Sequence, residues 1–171
     1  MYITYDFETL GTSFNAPVIQ IGAVKFNTVG EILDKFYTNI NWNDLSKYSF
    51  TTDYPTLQWW METQSEAAKT LFTGETMLLK DAFKAFEKWI GKPKDYYYWT
   101  HATFDPVIFA NTCRVLGMDV FIPFRHQMDI RTLTLLAGRV KVEREGTAHN
   151  ALDDAILQAD YISKMLNKLN V

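Results

Sequence analysis

The sequence predicts an α/β domain, a mixed five-stranded sheet flanked by helices, and three observations carry that prediction. The chain opens with three strand-like runs joined by short turns; from residue 55 onward helical-period runs alternate with shorter strand-like ones; and 171 residues suffice for one sizeable core. A hairpin-connected start gives antiparallel neighbours and helical crossovers give parallel ones, so the sheet is mixed. A single domain over residues 1–171 is expected, because no repeat, low-complexity segment or linker interrupts the chain.

The first run, MYITYDFETLG, reads as a strand that presents two carboxylates. Residues two apart on a strand share a face, which puts Tyr2, Thr4, Asp6 and Glu8 on one side and Ile3, Tyr5 and Phe7 on the core side. Two acids side by side repel unless a cation or a shared proton relieves them. On its own a D-x-E near an N-terminus is also simply a solvated strand end. A loop closing at Pro17 follows, then VIQIGAVKF (18–26) as an apolar central strand, a turn over Asn27 to Gly30, and GEILDKFYTNI as a third strand.

Candidate helix caps stand at Ser49, Thr51, Thr52 and Asp53, ahead of PTLQWWMETQSEAAKTLF, which reads as one or two helices. Trp59 and Trp60 are adjacent there. Neighbouring helix positions point about 100° apart, so the two indoles do not share the centre of one core face. One is free for a neighbour or ligand, or half-buried against an adjoining element. Residues 77–90 carry apolar side chains at the helical period and end at Gly91. DYYYWTH (95–101) predicts a fourth strand; ATFDPVIFANTCRVLG a helix with Asp105 in its first turn; IPFRHQMDI a fifth strand; and RTLTLLAG a helix. The charged stretch 139–147 predicts a mobile loop, and Ala151 to Leu169 a final helix with an apolar stripe of Leu152, Ala155, Ile156, Ala159, Ile162, Leu166 and Leu169.

Composition narrows the function classes. A formal net charge of -3 excludes a protein that holds nucleic acid mainly by blanket phosphate neutralisation, but leaves room for an acidic cleft countered by metal. The single cysteine, Cys113, falls in an apolar run and predicts a buried thiol. No run reaches transmembrane length and the N-terminus is acidic where a signal peptide is basic, so no membrane association and a cytoplasmic location are expected.

The acids and one histidine form three clusters in chain order: Asp6-Phe7-Glu8 on a strand, Thr103-Phe104-Asp105 at a strand-to-helix junction, and His149-Asn150-Ala151-Leu152-Asp153-Asp154 at the head of the last helix. In these clusters the sequence resembles the DEDDh (DnaQ-like) 3′-5′ exonuclease family, with H-x-A-x-x-D as the most specific of the three motifs. Phe7-Glu8-Thr9-Leu10-Gly11, Thr56-Leu57-Gln58-Trp59-Trp60, Gln64-Ser65-Glu66-Ala67 and Met128-Asp129-Ile130-Arg131-Thr132 are similar in particular to the branch of phage exonuclease A and small bacterial exoribonucleases. The resemblance implies a ribonuclease H-like fold and the removal of nucleotides one at a time from 3′ ends.

Phosphodiester hydrolysis explains such a set. Water must be made nucleophilic and the charge growing on the phosphoryl oxygens must be stabilised, which two hard divalent ions about 3.5 to 4 Å apart do when carboxylates hold them. The resemblance implies Mg²⁺ or Mn²⁺, with Asp6 bridging both ions, Glu8 and Asp154 completing one shell and Asp105 supporting the other. It implies His149 as the base that takes the proton of the attacking water, work suited to an imidazole. Periodicity does not choose between Asp153 and Asp154; the family spacing favours Asp154, and Asp153 has the alternative of favouring the helix N-terminus.

For substrate, the resemblance implies contacts of Thr9 and Leu10 with the terminal nucleotide. Phe104 and one of Trp59 or Trp60 are candidates to stack on bases, with plain packing as the alternative. His101 is expected to satisfy a strand-end hydrogen bond. Arg131 either meets a phosphate or pairs with Asp129 or Asp105. The expected reaction is release of nucleoside 5′-monophosphates from single-stranded 3′ ends, with DNA narrowly ahead of RNA. A nuclease-fold binding module without turnover and an endonuclease are the competing classes, and a homodimer is permitted by the aromatic surplus.

Overall fold

The computed structural model describes residues 1–63, 65–71 and 73–170. Strands β1 (Tyr2–Thr9), β2 (Val18–Phe26) and β3 (Ile32–Ile40) form the antiparallel meander read from the sequence. Helices α1 (Trp42–Leu45), α2 (Tyr54–Glu62) and α3 (Ser65–Leu71) follow, then β4 (Thr76–Met77) and α4 (Leu79–Ile90). The second half alternates β5 (Tyr97–Thr100), α5 (Asp105–Val115), β6 (Gln127–Asp129), α6 (Ile130–Ala137) and α7 (Ala151–Leu169). The sheet order is β4-β3-β2-β1-β5-β6, with β1 parallel to β5 and β5 parallel to β6.

The five expected strands are joined by a sixth. Met77, read as the start of a helix, instead pairs with Ile40 in β4, and α4 begins two residues later. A two-residue strand has no room for an alternation signal. The short α1 also carries no period; Asn41 caps it by accepting from the Asn43 N–H. The tryptophan stretch resolves into two helices, with Asp53 at the N-cap of α2. Gln64 and Phe72, which the sequence reading placed in that stretch, lie outside the described residues. Of IPFRHQMDI only Gln127–Asp129 is strand; Phe124–His126 makes one 3₁₀ turn.

Helices cover both faces of the sheet. Ile3, Tyr5 and Phe7 pack with Phe83, Phe86 and Phe109 of α4 and α5, the face assigned to them by strand alternation. Opposite, Val24 and Phe26 pack with Ile130 and Leu133 of α6 and Ala155, Ala159 and Ile162 of α7. Cys113 is a buried free thiol. Among the described residues, no helix is long and apolar enough to cross a membrane.

One glycine sets how closely α7 approaches. A Cβ on Gly22 would lie 2.1 Å from the Ala151 carbonyl carbon and 2.2 Å from the Leu152 nitrogen, so the start of α7 rests on the backbone of β2. Gly22 pairs with Asp6 across the sheet, and this contact therefore sets the head of α7 beside the acid-bearing end of β1. Buried Gln20 fixes the same helix: its side-chain oxygen accepts from the Ala151 N–H at 2.6 Å, and its amide donates to Tyr37 and Asn39.

Candidate active site

The site lies where two parallel strands part. β5 pairs with β1 only as far as Thr4, so the last residues of β1 run on past their parallel neighbour. The carboxyl ends of parallel strands, where chains diverge, are where open α/β sheets form clefts. Asp105, the first residue of α5, fills the gap by accepting from the Phe7 N–H at 3.2 Å. Asp6, Glu8, Asp105, His149 and Asp154 all line one cleft of about 340 Å³, with Phe104, Arg144, Leu157, Gln158 and Tyr161.

α7 contributes a face to this cleft. Asp154, Leu157, Gln158 and Tyr161 follow the i, i+3, i+4, i+7 spacing of one helical side. Gln158 links two β1 residues: it accepts from the Thr4 hydroxyl at 2.7 Å and donates to Asp6 Oδ1 at 2.8 Å. It is a buried polar residue beside the predicted apolar stripe, and that position next to the stripe is its only sequence signal. Of the stripe itself, Ala155, Ala159, Ile162 and Leu166 are buried while Leu152, Ile156 and Leu169 are partly so.

Burial of neighbouring carboxyls is the electrostatic signature. Burial, reinforced by Asp154 and Asp105, pushes the Glu8 carboxyl up to about 8. Burial raises Asp105 to about 7 against the pull of backbone N–H donors and of Arg131, and raises Asp6 well above the carboxylate range, with Asp105, Glu8 and Asp154 adding to the effect. Carboxylates held in this state favour a bound cation. An oxygen from each of Glu8 and Asp154 and a ring nitrogen of His149 lie within 4.8 Å of one another, so the donor set fits a hard divalent ion.

The loop side of the cleft is tied down at two points. Residues 138–150 form no helix or strand, but Arg144 pairs with Asp154, and Asp153 accepts from the Thr147 N–H at 2.8 Å. The stretch expected to be mobile is thus anchored to α7. Asp153, unassigned between two sequence readings, is the loop anchor. His149 has φ of 62°, a left-handed conformation uncommon outside glycine but more tolerated by histidine, and its N–H donates to Asp154. Asn150 then caps α7.

On the α2 side a second cavity of about 420 Å³ is lined by Glu8, Thr9, Asp53, Trp59, Trp60 and Phe104, among others. Trp60 is buried and donates from Nε1 to the Thr9 carbonyl, while half-buried Trp59 sets its ring edge-on to His149 at 4.8 Å between centroids. The two indoles therefore divide as the helical geometry requires. The Thr9 hydroxyl donates to the Gly11 carbonyl. Leu10 stands apart: its side chain is in the core and lines a different cavity, near Pro17 and Trp42, because its backbone is bonded to Pro17 and Asp53.

His101 departs from expectation, and of the two readings of Arg131 the ion pair is not formed among the described residues. The His101 Nδ1 is buried without a hydrogen-bond partner, and burial with the nearby Arg131 charge lowers the imidazole pKa. Asp129 caps α6 through Thr132. Arg144, Gln158 and Tyr161 are cleft residues that the sequence did not single out, and Asp53, read only as a helix cap, also lines the α2-side cavity.

Residues 1–166 match the family model described as the 3′-5′ exoribonuclease Rv2179c-like domain. A comparison with curated proteins by sequence found no match. Among solved structures, exonuclease X in complex with 5′ overhanging duplex DNA is 18% identical with a TM-score of 0.62, over 100% of this chain and 94% of that one. Exonuclease I from Methylocaldum szegediense is 13% identical with a TM-score of 0.68, over 98% of this chain and 40% of that one, so the chain spans well under half of that protein's length. S. pombe Pop2p, in a Mg²⁺ and Mn²⁺ bound form, is 14% identical with a TM-score of 0.65, over 97% of this chain and 82% of that one. These likenesses show a common ribonuclease H-like fold.

Proposed function

The chain belongs to the Rv2179c-like 3′-5′ exoribonuclease domain family, and from that premise we propose a metal-dependent 3′→5′ exonuclease that acts on single-stranded ends and releases nucleoside 5′-monophosphates. The observation that carries this reading is the meeting of Asp6, Glu8, Asp105, Asp154 and His149 in one cleft, where burial raises the Asp6, Glu8 and Asp105 carboxyls and neighbouring acids add to the rise at Asp6 and Glu8.

Asp6, Glu8, Asp105 and Asp154 would hold two divalent ions, Mg²⁺ or Mn²⁺, which when bound supply Lewis acidity at the phosphoryl group and lower the pKa of water. The chain's own residues do the rest. Gln158 keeps the Asp6 carboxylate turned into the cleft. His149, between the Trp59 ring and Asp154, takes the proton of the attacking water. Trp59 and Phe104 give the α2-side cavity aromatic walls on which the terminal base stacks, and Thr9 borders it. RNA is placed first because the family description names an exoribonuclease, and DNA, placed first from the sequence, becomes the second arm of the test.

The test is a time course on matched 5′-labelled single-stranded RNA and DNA with Mg²⁺, Mn²⁺ or chelator, run beside Asp6→Ala and His149→Ala. A descending ladder that requires metal and is slowed at least about 10³-fold by Asp6→Ala is expected, given the several kcal/mol that such ions contribute. No ladder on either polymer, from folded protein with both metals supplied, would sink the proposal in favour of a binding module. Cleavage of circular single strands would turn it into an endonuclease.

A further inference from the structure

The catalytic cleft is flanked by two cavities that share no lining residue with each other and differ in charge. The α2-side cavity is lined by no lysine or arginine and by two carboxylates, Glu8 and Asp53. The other, of about 310 Å³ on the α6 side, is lined by Arg131 and Arg139 and by no acid. It opens on the catalytic cleft through His101 and Tyr161, which line both. Its size falls at the lower end of the roughly 300 to 1,000 Å³ of small-ligand sites.

An exonuclease substrate is asymmetric in the same way. On the 3′ side of the scissile phosphodiester there is one nucleoside that ends in a hydroxyl, and on the 5′ side the strand continues with a phosphate at every step. A cation-free aromatic cavity with carboxylates suits the first, because a carboxylate accepts from a hydroxyl and repels a further phosphate. Paired guanidiniums suit the second. Resting on the exonuclease reading above, we propose that the α6-side cavity is the subsite for the nucleotide immediately 5′ of the scissile phosphodiester, with Arg131 and Arg139 receiving the next phosphate along the strand.

Exposed arginines are usually only solvated, and two features set this pair apart. Both stand at the rim of apolar walls from Ile130, Val140 and Met165, which exclude water from one side of a contact. His101 stands in the wall shared by this cavity and the catalytic cleft, so a strand that crosses from one to the other passes its ring.

The experiment compares a dinucleoside monophosphate, whose only phosphate is the scissile one, with the same dinucleotide carrying a 5′-phosphate. Wild type, Arg131→Ala, Arg139→Ala and Arg131→Lys are measured on both, with circular dichroism as the check on folding. Wild type is expected to favour the 5′-phosphorylated member in kcat/KM by about tenfold or more, and each alanine variant to lose most of that preference. Arg131→Lys, which keeps the charge, retains part of it. On longer strands the alanine variants show a shallower salt dependence, by about 0.7 in the logarithmic slope per lost phosphate contact. An unchanged preference in both folded alanine variants overturns the subsite. If wild type turns over neither dinucleotide, the ladder on longer strands still decides the exonuclease reading, and equilibrium binding of the same dinucleotide pair in Mg²⁺ decides the cavity alone. Tighter binding of the 5′-phosphorylated member, lost in Arg131→Ala, upholds it, and equal binding overturns it.

Discussion

Asp6, Glu8 and Asp105 reach the cleft from the sheet and the first turn of a crossover helix, whereas His149 and Arg144 reach it from 138–150, a stretch without regular structure. The sheet half is buried and fixed by Gln158, by the Phe7 N–H and by pairing with β2, and its burial raises all three carboxyls. The loop half is hung on α7 by two carboxylates, Asp153 and Asp154. On the proposed function the difference would divide two jobs: a buried floor of carboxyls that binds metal, and a wall anchored to α7 that carries the proton acceptor. Changes on the floor should alter metal binding and stability together, and changes on the wall should alter turnover alone.

The sharpest way to break that division is His149→Ala. It is expected to lower kcat by about 10²- to 10⁴-fold, the usual worth of a general base. Because a left-handed non-glycine residue is relieved little by alanine, thermal stability should hardly move. Metal binding measured by calorimetry should survive. A large loss of metal affinity instead would make His149 part of the floor, in keeping with its closeness to Glu8 and Asp154.

Gly22→Ala attacks the contact between the two halves. A Cβ that would lie about 2.1 Å from the α7 backbone cannot be accommodated by a side-chain rotation, so α7 must shift. Destabilisation of about 3 kcal/mol is expected, seen as a melting temperature lower by several degrees, together with loss of turnover, because the shift separates Asp154 from Asp6. Near-wild-type melting and activity would show that α7 is not held by this contact.

Much of this architecture was legible beforehand, for identifiable reasons. Strand alternation put Asp6 and Glu8 on one face and Phe7 on the other, because a period of two is a local property. The spacing of His149 and Asp154 placed them on either side of a helix start for the same reason. What was not legible depends on distant partners. Arg144 meets Asp154 only because a loop folds back; Gln20 reaches the Ala151 N–H across 131 residues; the pairing of Met77 with Ile40 is a tertiary accident of a two-residue strand. Gln158 falls between, since a glutamine flanked by the apolar stripe of α7 was visible but its partners Thr4 and Asp6 were not.

The charge stored on the floor sharpens the comparison through pH. A carboxyl whose folded pKa is raised gives stability that is complete below its unfolded value near ~4 and is lost as the pH climbs through the folded value. With Asp105 at about 7, Glu8 at about 8 and Asp6 also held well above the carboxylate range by burial and these neighbours, metal-free protein should melt at progressively lower temperature between pH 5 and 8. Mg²⁺ or Mn²⁺ should recover most of that loss at pH 8 and little at pH 5, since a cation needs the ionised acids. Asp6→Asn should raise the pH 8 melting temperature in chelator, on the order of 1 kcal/mol or about 2 to 4 °C, while abolishing turnover. A flat profile in chelator would mean that the floor holds no such charge.

The smallest effect belongs to the wall's anchor. Asp153 accepts from Thr147, and Gly146, at φ of 81°, has its backbone so close that a Cβ there would lie 2.5 Å from the Asp153 carboxyl. Asp153→Ala removes one partly exposed hydrogen bond and should cost about 1 kcal/mol or less. The loop then loses one of its ties to α7 and keeps the Arg144 to Asp154 pair and the His149 N–H bond to Asp154. A several-fold fall in kcat with unchanged metal affinity and unchanged pH dependence of stability is expected, because only the placement of His149 has been loosened. If metal affinity falls as well, the anchor acts through its neighbour Asp154, and the two halves of the cleft are one mechanical unit.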